Sequence, residues 1–128
     1  MKVLIVDDSS TTREMERGIL AQLGCSQDEI LDAASGEEGL NKVTSFDPDL
    51  VLVDGKMRDM DGVAFVRTIR GNGFTKPIMM VSSECERQRV LDAVQAGASD
   101  FVVKPFTPDL LSQRIEDLMG RPEQQPLI

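Results

Sequence analysis

With 128 residues, the chain has the length of one domain that can bury a core without disulfide or metal staples. Its 22 acidic residues against 14 basic ones leave a net charge of −8, which argues against general nucleic-acid binding, since that needs a basic face. Histidine, tryptophan and tyrosine are absent, so the chain has no histidine base, histidine metal ligand or phosphohistidine of its own.

Cys25 and Cys85 lie far apart and lack metal-ligand spacing, which makes reduced thiols in a cytoplasmic protein the expectation. The apolar runs are short and broken by charges, so no membrane span is expected. The chain enters a strand at once, with no signal peptide expected before it.

The first strand is predicted over residues 2–6, where the run VLIV ends at Asp7 and Asp8. Such continuous apolar runs suit a parallel sheet covered on both faces. A helix follows over about 10–23, with Met15, Ile19 and Leu23 spaced four apart on its inner face, and Gly24 stops it. The second strand is predicted over 29–33. Ser35 and Glu38 then have capping-box spacing for a helix that buries Leu40 and Val43. Asp47-Pro48-Asp49 turns the chain into the third strand, 50–53, the run LVLV before Asp54.

A loop over 55–61 leads to Gly62, which opens a helix with Phe65, Val66 and Ile69 inside, closed by Gly71-Asn72-Gly73. The fourth strand is predicted over 77–81. Ser83 and Glu86, again at capping-box spacing, predict a helix with Val90, Leu91 and Val94 inside and Gly97 at its end. Its charges Glu86, Arg87, Arg89 and Asp92 read as a solvated face. The fifth strand, 100–103, runs into Lys104-Pro105-Phe106. Thr107 as cap and Pro108 at the first helical position start the last helix, with Leu111, Ile115, Leu118 and Met119 as its stripe. A domain over 1–120 and a short polar tail over 121–128 are expected.

Five alternations of strand and helix imply an α/β fold, a parallel sheet with helices on both faces. Sites in such sheets lie at the carboxyl ends of the strands. Asp7, Asp8, Asp54, Ser82 and Lys104 each fall just past a predicted strand. Carboxylates brought together repel unless a cation sits among them, and hard oxygen donors without Cys or His suit Mg²⁺. Singly, each residue has a plainer reading. Asp54 is then a turn residue, Asp7 and Asp8 a charge cluster at a helix start, Ser82 and Ser83 caps, Lys104 a surface lysine and Phe101 a core residue. Together on one edge, they favour a site.

Those residues carry a resemblance. VDD at the first strand, LVLVDGKMRDMDG at the third, MMVSS at the fourth and FVVKPF at the fifth resemble a two-component response-regulator receiver domain of the single-domain CheY type. The resemblance spans residues 2–119. It implies a flavodoxin-like, CheY-like five-stranded parallel sheet of order 2-1-3-4-5 with five helices. It implies Asp54 as phosphoacceptor, and Mg²⁺ held by Asp7, Asp8, Asp54 and the backbone carbonyl of Lys56. It further implies Ser82 as switch hydroxyl, Lys104 as phosphate-pairing lysine, Phe101 as switch aromatic and a cis Lys104–Pro105 peptide. Arg58 stands where such domains often carry Pro, which is expected to loosen the loop without removing chemistry. Lys56 and Glu84 are expected to pair across the mouth of the crevice and shield a phosphoryl group.

The implied function is a phosphorylation-activated switch. Its donor is a histidine kinase or phosphotransfer protein, and its output is a downstream target bound by the helix 4, strand 5, helix 5 face. A role in chemotaxis fits a single-domain receiver. The same topology also serves flavin-binding electron carriers. Ser9-Ser10-Thr11-Thr12 loosely suits a phosphate loop, but the chain lacks the Trp or Tyr such sites stack on, and colour would decide. An aspartyl-nucleophile phosphatase is the third reading. Its nucleophile and acid stand two residues apart after the first strand, a spacing that Asp7-Asp8-Ser9 lacks.

Overall fold

The apolar runs form strands because each is flanked on both sides by helices that bury it. In the computed structural model, which describes residues 1–120, β1 (Val3–Val6), β2 (Ile30–Ala33), β3 (Leu50–Asp54), β4 (Ile78–Ser82) and β5 (Asp100–Val103) alternate with five helices. These are α1 (Ser10–Gln22), α2 (Gly36–Phe46), α3 (Gly62–Gly71), α4 (Arg87–Ala96) and α5 (Pro108–Met119). The strands are parallel and ordered β2-β1-β3-β4-β5. The flavodoxin-like, CheY-like topology expected from the sequence is therefore present. The tail expected at 121–128 lies outside the described residues.

Successive strand residues point to opposite faces, and the core divides accordingly. Leu4, Val6, Val51, Val53, Ile78 and Met80 pack with Val43 of α2, Phe65 and Ile69 of α3, and Ala93 and Ala96 of α4. Val3, Ile5, Leu50, Leu52, Met79 and Val102 pack with Ile19 and Leu20 of α1 and Leu111, Ile115 and Leu118 of α5. Register brings the strand ends level: Val6 lies beside Val53, Asp54 beside Val81, and Ser82 beside Val103. Residues just past these positions open on one edge.

Three local features depart from the sequence reading. The inner face of α1 is Glu16, Ile19 and Leu20, whereas Met15 is exposed. Positions four apart drift around a helix of 3.6 residues per turn, and the packed face follows the 16, 19, 20 phase instead. Secondly, α4 starts at Arg87 rather than after Ser83. The Glu84 N–H is taken by Ser82 Oγ at 3.0 Å, so residues 83–86 stay outside the helix, and the cap residue Glu86 makes no side-chain cap bond. Finally, Leu91, expected inside, is exposed. Elsewhere the caps act as read: Ser35 Oγ accepts from Glu38 N–H and Thr107 Oγ1 from Leu110 N–H. The Glu38 carboxylate reaches Ala34 N–H rather than the cap residue's own.

Candidate phosphoacceptor site

Asp7, Asp8 and Asp54 each offer a carboxylate oxygen, and these oxygens lie within 4.8 Å of one another. Each is placed by a strand end. Asp7 follows β1, and its Oδ1 accepts from Ser9 N–H at 2.8 Å, which fixes the turn into α1. Asp8 Oδ2 accepts from Arg58 N–H at 3.0 Å. Asp54 ends β3. The crevice suits Mg²⁺ by its chemistry, since all three donors are hard oxygens and the set has more negative charge than one nearby lysine neutralises.

That lysine is Lys104. Its Nζ donates to Asp7 Oδ2 at 2.9 Å and to Asp54 Oδ1 at 3.2 Å. The Lys104–Pro105 peptide is cis, as the resemblance implied. Burial and the charge of Asp7 push the Asp54 carboxyl above its ordinary value, against the opposing pull of Lys104. Burial pushes the Lys104 ammonium down, but Asp7 and Asp54 outweigh it and hold it above its ordinary value.

Ser82 is buried at the end of β4, and its hydroxyl lies directly over Gly55. A Cβ at Gly55 would stand 2.3 Å from Ser82 Oγ, so glycine here is a packing requirement. Gly62 is equally constrained, because its Cβ would stand 2.3 Å from the Asp54 backbone oxygen. Phe101 is partly buried and packs on the α2–α3–α4 side. Lys56 is exposed, and it forms an isolated bridge with Asp61 across the neck of the 55–61 loop.

The loop is better braced than its Arg58 suggested. A proline at this position would have no N–H for Asp8, so the departure adds a bond. One residue on, the Asp59 carboxylate accepts from Gly36 and Glu37 N–H, both at 3.0 Å, and caps α2 from outside. The expected pairing of Lys56 with Glu84 is not the arrangement found. Glu84 Oε1 lies 3.8 Å from Arg89 instead. Arg89 in turn is no member of a solvated face, since it is bonded to Gly55 and Asp61.

The response regulator receiver domain family matches residues 3–116. The chain belongs to that family. A chemotaxis protein CheY homolog of Campylobacter jejuni is 37% identical over 123 residues, which cover 94% of this chain and 93% of the relative. Chemotaxis protein CheY1 of Helicobacter pylori is 35% identical over 123 residues, covering 94% and 98%. Among solved structures, chemotaxis protein CheY4 of Vibrio cholerae superposes with a TM-score of 0.84 at 31% identity, covering 91% of this chain and 97% of that one. A two-component response regulator from Clostridium difficile gives 0.87 at 28%, covering 94% and 97%. This receiver domain is a phosphorylation-activated signalling protein, and the flavin-carrier alternative is not favoured. Among the described residues, no helix is long and apolar enough to cross a membrane.

Sequence reasoning missed three contributors. Arg13 donates to the Asp7 backbone oxygen at 2.7 Å and pairs with Asp32 at 3.2 Å, bracing the first strand end. Glu16 is buried on α1 and electrostatically coupled to the receiver crevice. Arg89 grips the loop neck. All three are charged residues on helices, and charge in a helical repeat reads as solvent-facing. Only the rotational phase of each helix against the sheet, which a single sequence does not print, distinguishes them.

Proposed function

We propose that Asp54 is the phosphoacceptor, and that its carboxylate takes a phosphoryl group from the phosphohistidine of a histidine kinase or phosphotransfer protein. The observation that carries this reading is Lys104 Nζ within bonding distance of both Asp7 and Asp54 at the mouth of a three-carboxylate crevice. A carboxylate oxygen forms the new bond to phosphorus while the bond to the donor nitrogen breaks, leaving the donor's imidazole free. Such a loose transition state needs charge balance more than covalent help.

Asp7, Asp8, Asp54 and the Lys56 carbonyl would hold Mg²⁺, which when bound supplies positive charge at the reacting oxygens. Lys104 pairs with a phosphoryl oxygen in place of its resting partners. Ser82 turns its hydroxyl toward another, and Phe101, which lies beside Met80 in the sheet, repacks. The same groups assist the later hydrolysis of the acyl phosphate.

The output is binding to a target protein through α4, β5 and α5, where Leu91, Val103 and Leu110 are exposed apolar side chains. The named roles of the relatives support chemotaxis as the pathway, and a histidine-kinase donor would place the chain in the cytoplasm. Residues 1–120 form the receiver unit.

The test is incubation with Mg²⁺ and acetyl phosphate followed by mass spectrometry. One added phosphoryl group, absent in Asp54→Asn, is the expected result. Uptake by the Asn variant of one acid-stable, base-labile group would place the acceptor elsewhere.

A further inference from the structure

The helix α4 is thinly held. Its buried residues are the small side chains Ala93 and Ala96, and its cap residue makes no side-chain bond. At its amino end the attachment is Arg89. One guanidinium nitrogen, Nη2, donates to the Gly55 carbonyl at 2.9 Å and to Asp61 Oδ1 at 3.3 Å. The other, Nη1, donates to Asp61 Oδ2 at 3.1 Å, and Glu84 stands 3.8 Å from Nη2.

These partners sit at a neck. Gly55 directly follows Asp54, and its carbonyl also accepts from Gly62 N–H at 2.9 Å. Asp61 caps α3 through Val63 N–H. Arg89 therefore ties a loosely packed helix to the rigid base of the loop that follows Asp54. Ser82 touches the same neck, because its hydroxyl lies against Gly55 while it accepts from Glu84 N–H.

We propose that Arg89 is a latch that holds the amino end of α4 on the neck of the phosphoacceptor loop in the resting state, and so sets the threshold for switching. The proposal rests on the roles given above to Asp54 and Ser82. When the Ser82 hydroxyl turns toward a phosphoryl group on Asp54, its oxygen leaves Glu84 N–H, and residues 83–86 are drawn after it. The planar fork of Arg89 opposes that movement, since its geometry matches a carboxylate and a carbonyl fixed in one place. A ligand shifts a two-state equilibrium only by its differential affinity for the two states. Part of the phosphoryl group's interaction energy is therefore consumed in opening the latch.

Beryllofluoride with Mg²⁺, a mimic of the acyl phosphate, reads this directly. Wild type, Arg89→Ala and Arg89→Lys are titrated while the backbone amides of Gly55, Glu84 and α4 are followed by NMR. Arg89→Ala should bind about fivefold tighter, the size of a modest coupling. Before ligand is added, its amides should already lie part-way along the line joining the resting and saturated wild-type positions. Lysine, which keeps the charge without the fork, should fall between. Equal or weaker binding by a folded Arg89→Ala overturns the latch. Should that variant not fold, Asp61→Asn keeps the α3 cap, weakens the grip and must tighten binding in the same direction. A wild type that ignores beryllofluoride defeats the receiver reading and the latch together. A responsive wild type with unchanged variants defeats the latch alone.

Discussion

Lys104 Nζ and Asp7 Oδ2, 97 positions apart in the chain, meet at 2.9 Å, so the lysine just past β5 neutralises the carboxylate just past β1 before any phosphate arrives. The pair is mostly buried, with side-chain exposures of 20% and 2%, and its loss leaves Asp7 and Asp54 facing each other uncompensated. Lys104→Ala should therefore lower stability by about 1–3 kcal/mol in EDTA, less than a fully buried pair because the lysine is partly wet. The same change should strengthen Mg²⁺ binding, since a competing cation has gone. Melting curves with EDTA and with Mg²⁺, and calorimetric titration, check both halves. An unchanged melting temperature in EDTA would show that the pair contributes nothing.

Glu16 makes stability depend on pH in an unusual direction. Its carboxyl is pushed up from 4.5 to about 8 by burial and by the charges of Asp7 and Asp54, against Lys104. Between these two values the native state holds a proton that the unfolded chain has released, so stability falls as pH rises from about 4.5 to about 8 and then levels off. The span corresponds to on the order of 5 kcal/mol. Glu16→Gln should flatten this slope and be the more stable protein at pH 8. Urea unfolding at several pH values without Mg²⁺ measures it, and parallel slopes in the two proteins would contradict it.

Three glycines separate steric need from mere tolerance. Gly62→Ala places a Cβ against backbone and should cost about 3 kcal/mol, whereas at Gly55 the obstacle is the Ser82 side chain, for about 1–3 kcal/mol. Gly18 sits inside α1, and a Cβ added there would meet nothing within 4 Å, so Gly18→Ala should add about 0.5–1 kcal/mol. Chemical denaturation of the three variants gives the ranking, and a destabilised Gly18→Ala would overturn it.

Asp59 should protect the start of α2 from solvent exchange. Its carboxyl is held below its ordinary value by the N–H groups of Glu37 and Gly36, which marks the bonds as favouring the charged form. Asp59→Ala should speed hydrogen exchange at Gly36 and Glu37 while leaving the amides of α5 unchanged. Unaltered exchange at those two positions would remove the cap.

The sheet was legible because VLIV, LVLV and IMMV are period-free apolar runs, and only burial on both faces accounts for such runs. Their following polar residues named the crevice, and Asp7, Asp8, Asp54 and Lys104 did meet. The start of α4 was illegible, since Ser83 and Glu86 carry a capping spacing that the Ser82–Glu84 bond pre-empts. Glu16 and Arg89 were hidden for another reason. A helix repeat tells which residues share a face, but the charge of these two argued for the wrong face, and only packing against the sheet decides between propensity and phase.

The division of the interior by the sheet has a consequence for how the protein can change over time. By strand alternation, Asp54 continues the side of Leu50 and Leu52, above α1 and α5, while Ser82 continues the side of Ile78 and Met80, above α3 and α4. The two residues thus stand on different sides of one bulkhead. They meet at Gly55, which directly follows Asp54 and would clash with Ser82 if it carried a Cβ. A lineage can therefore rework exposed positions of α4, such as Leu91, by many small steps, while the glycine that joins the two sides has little room to change.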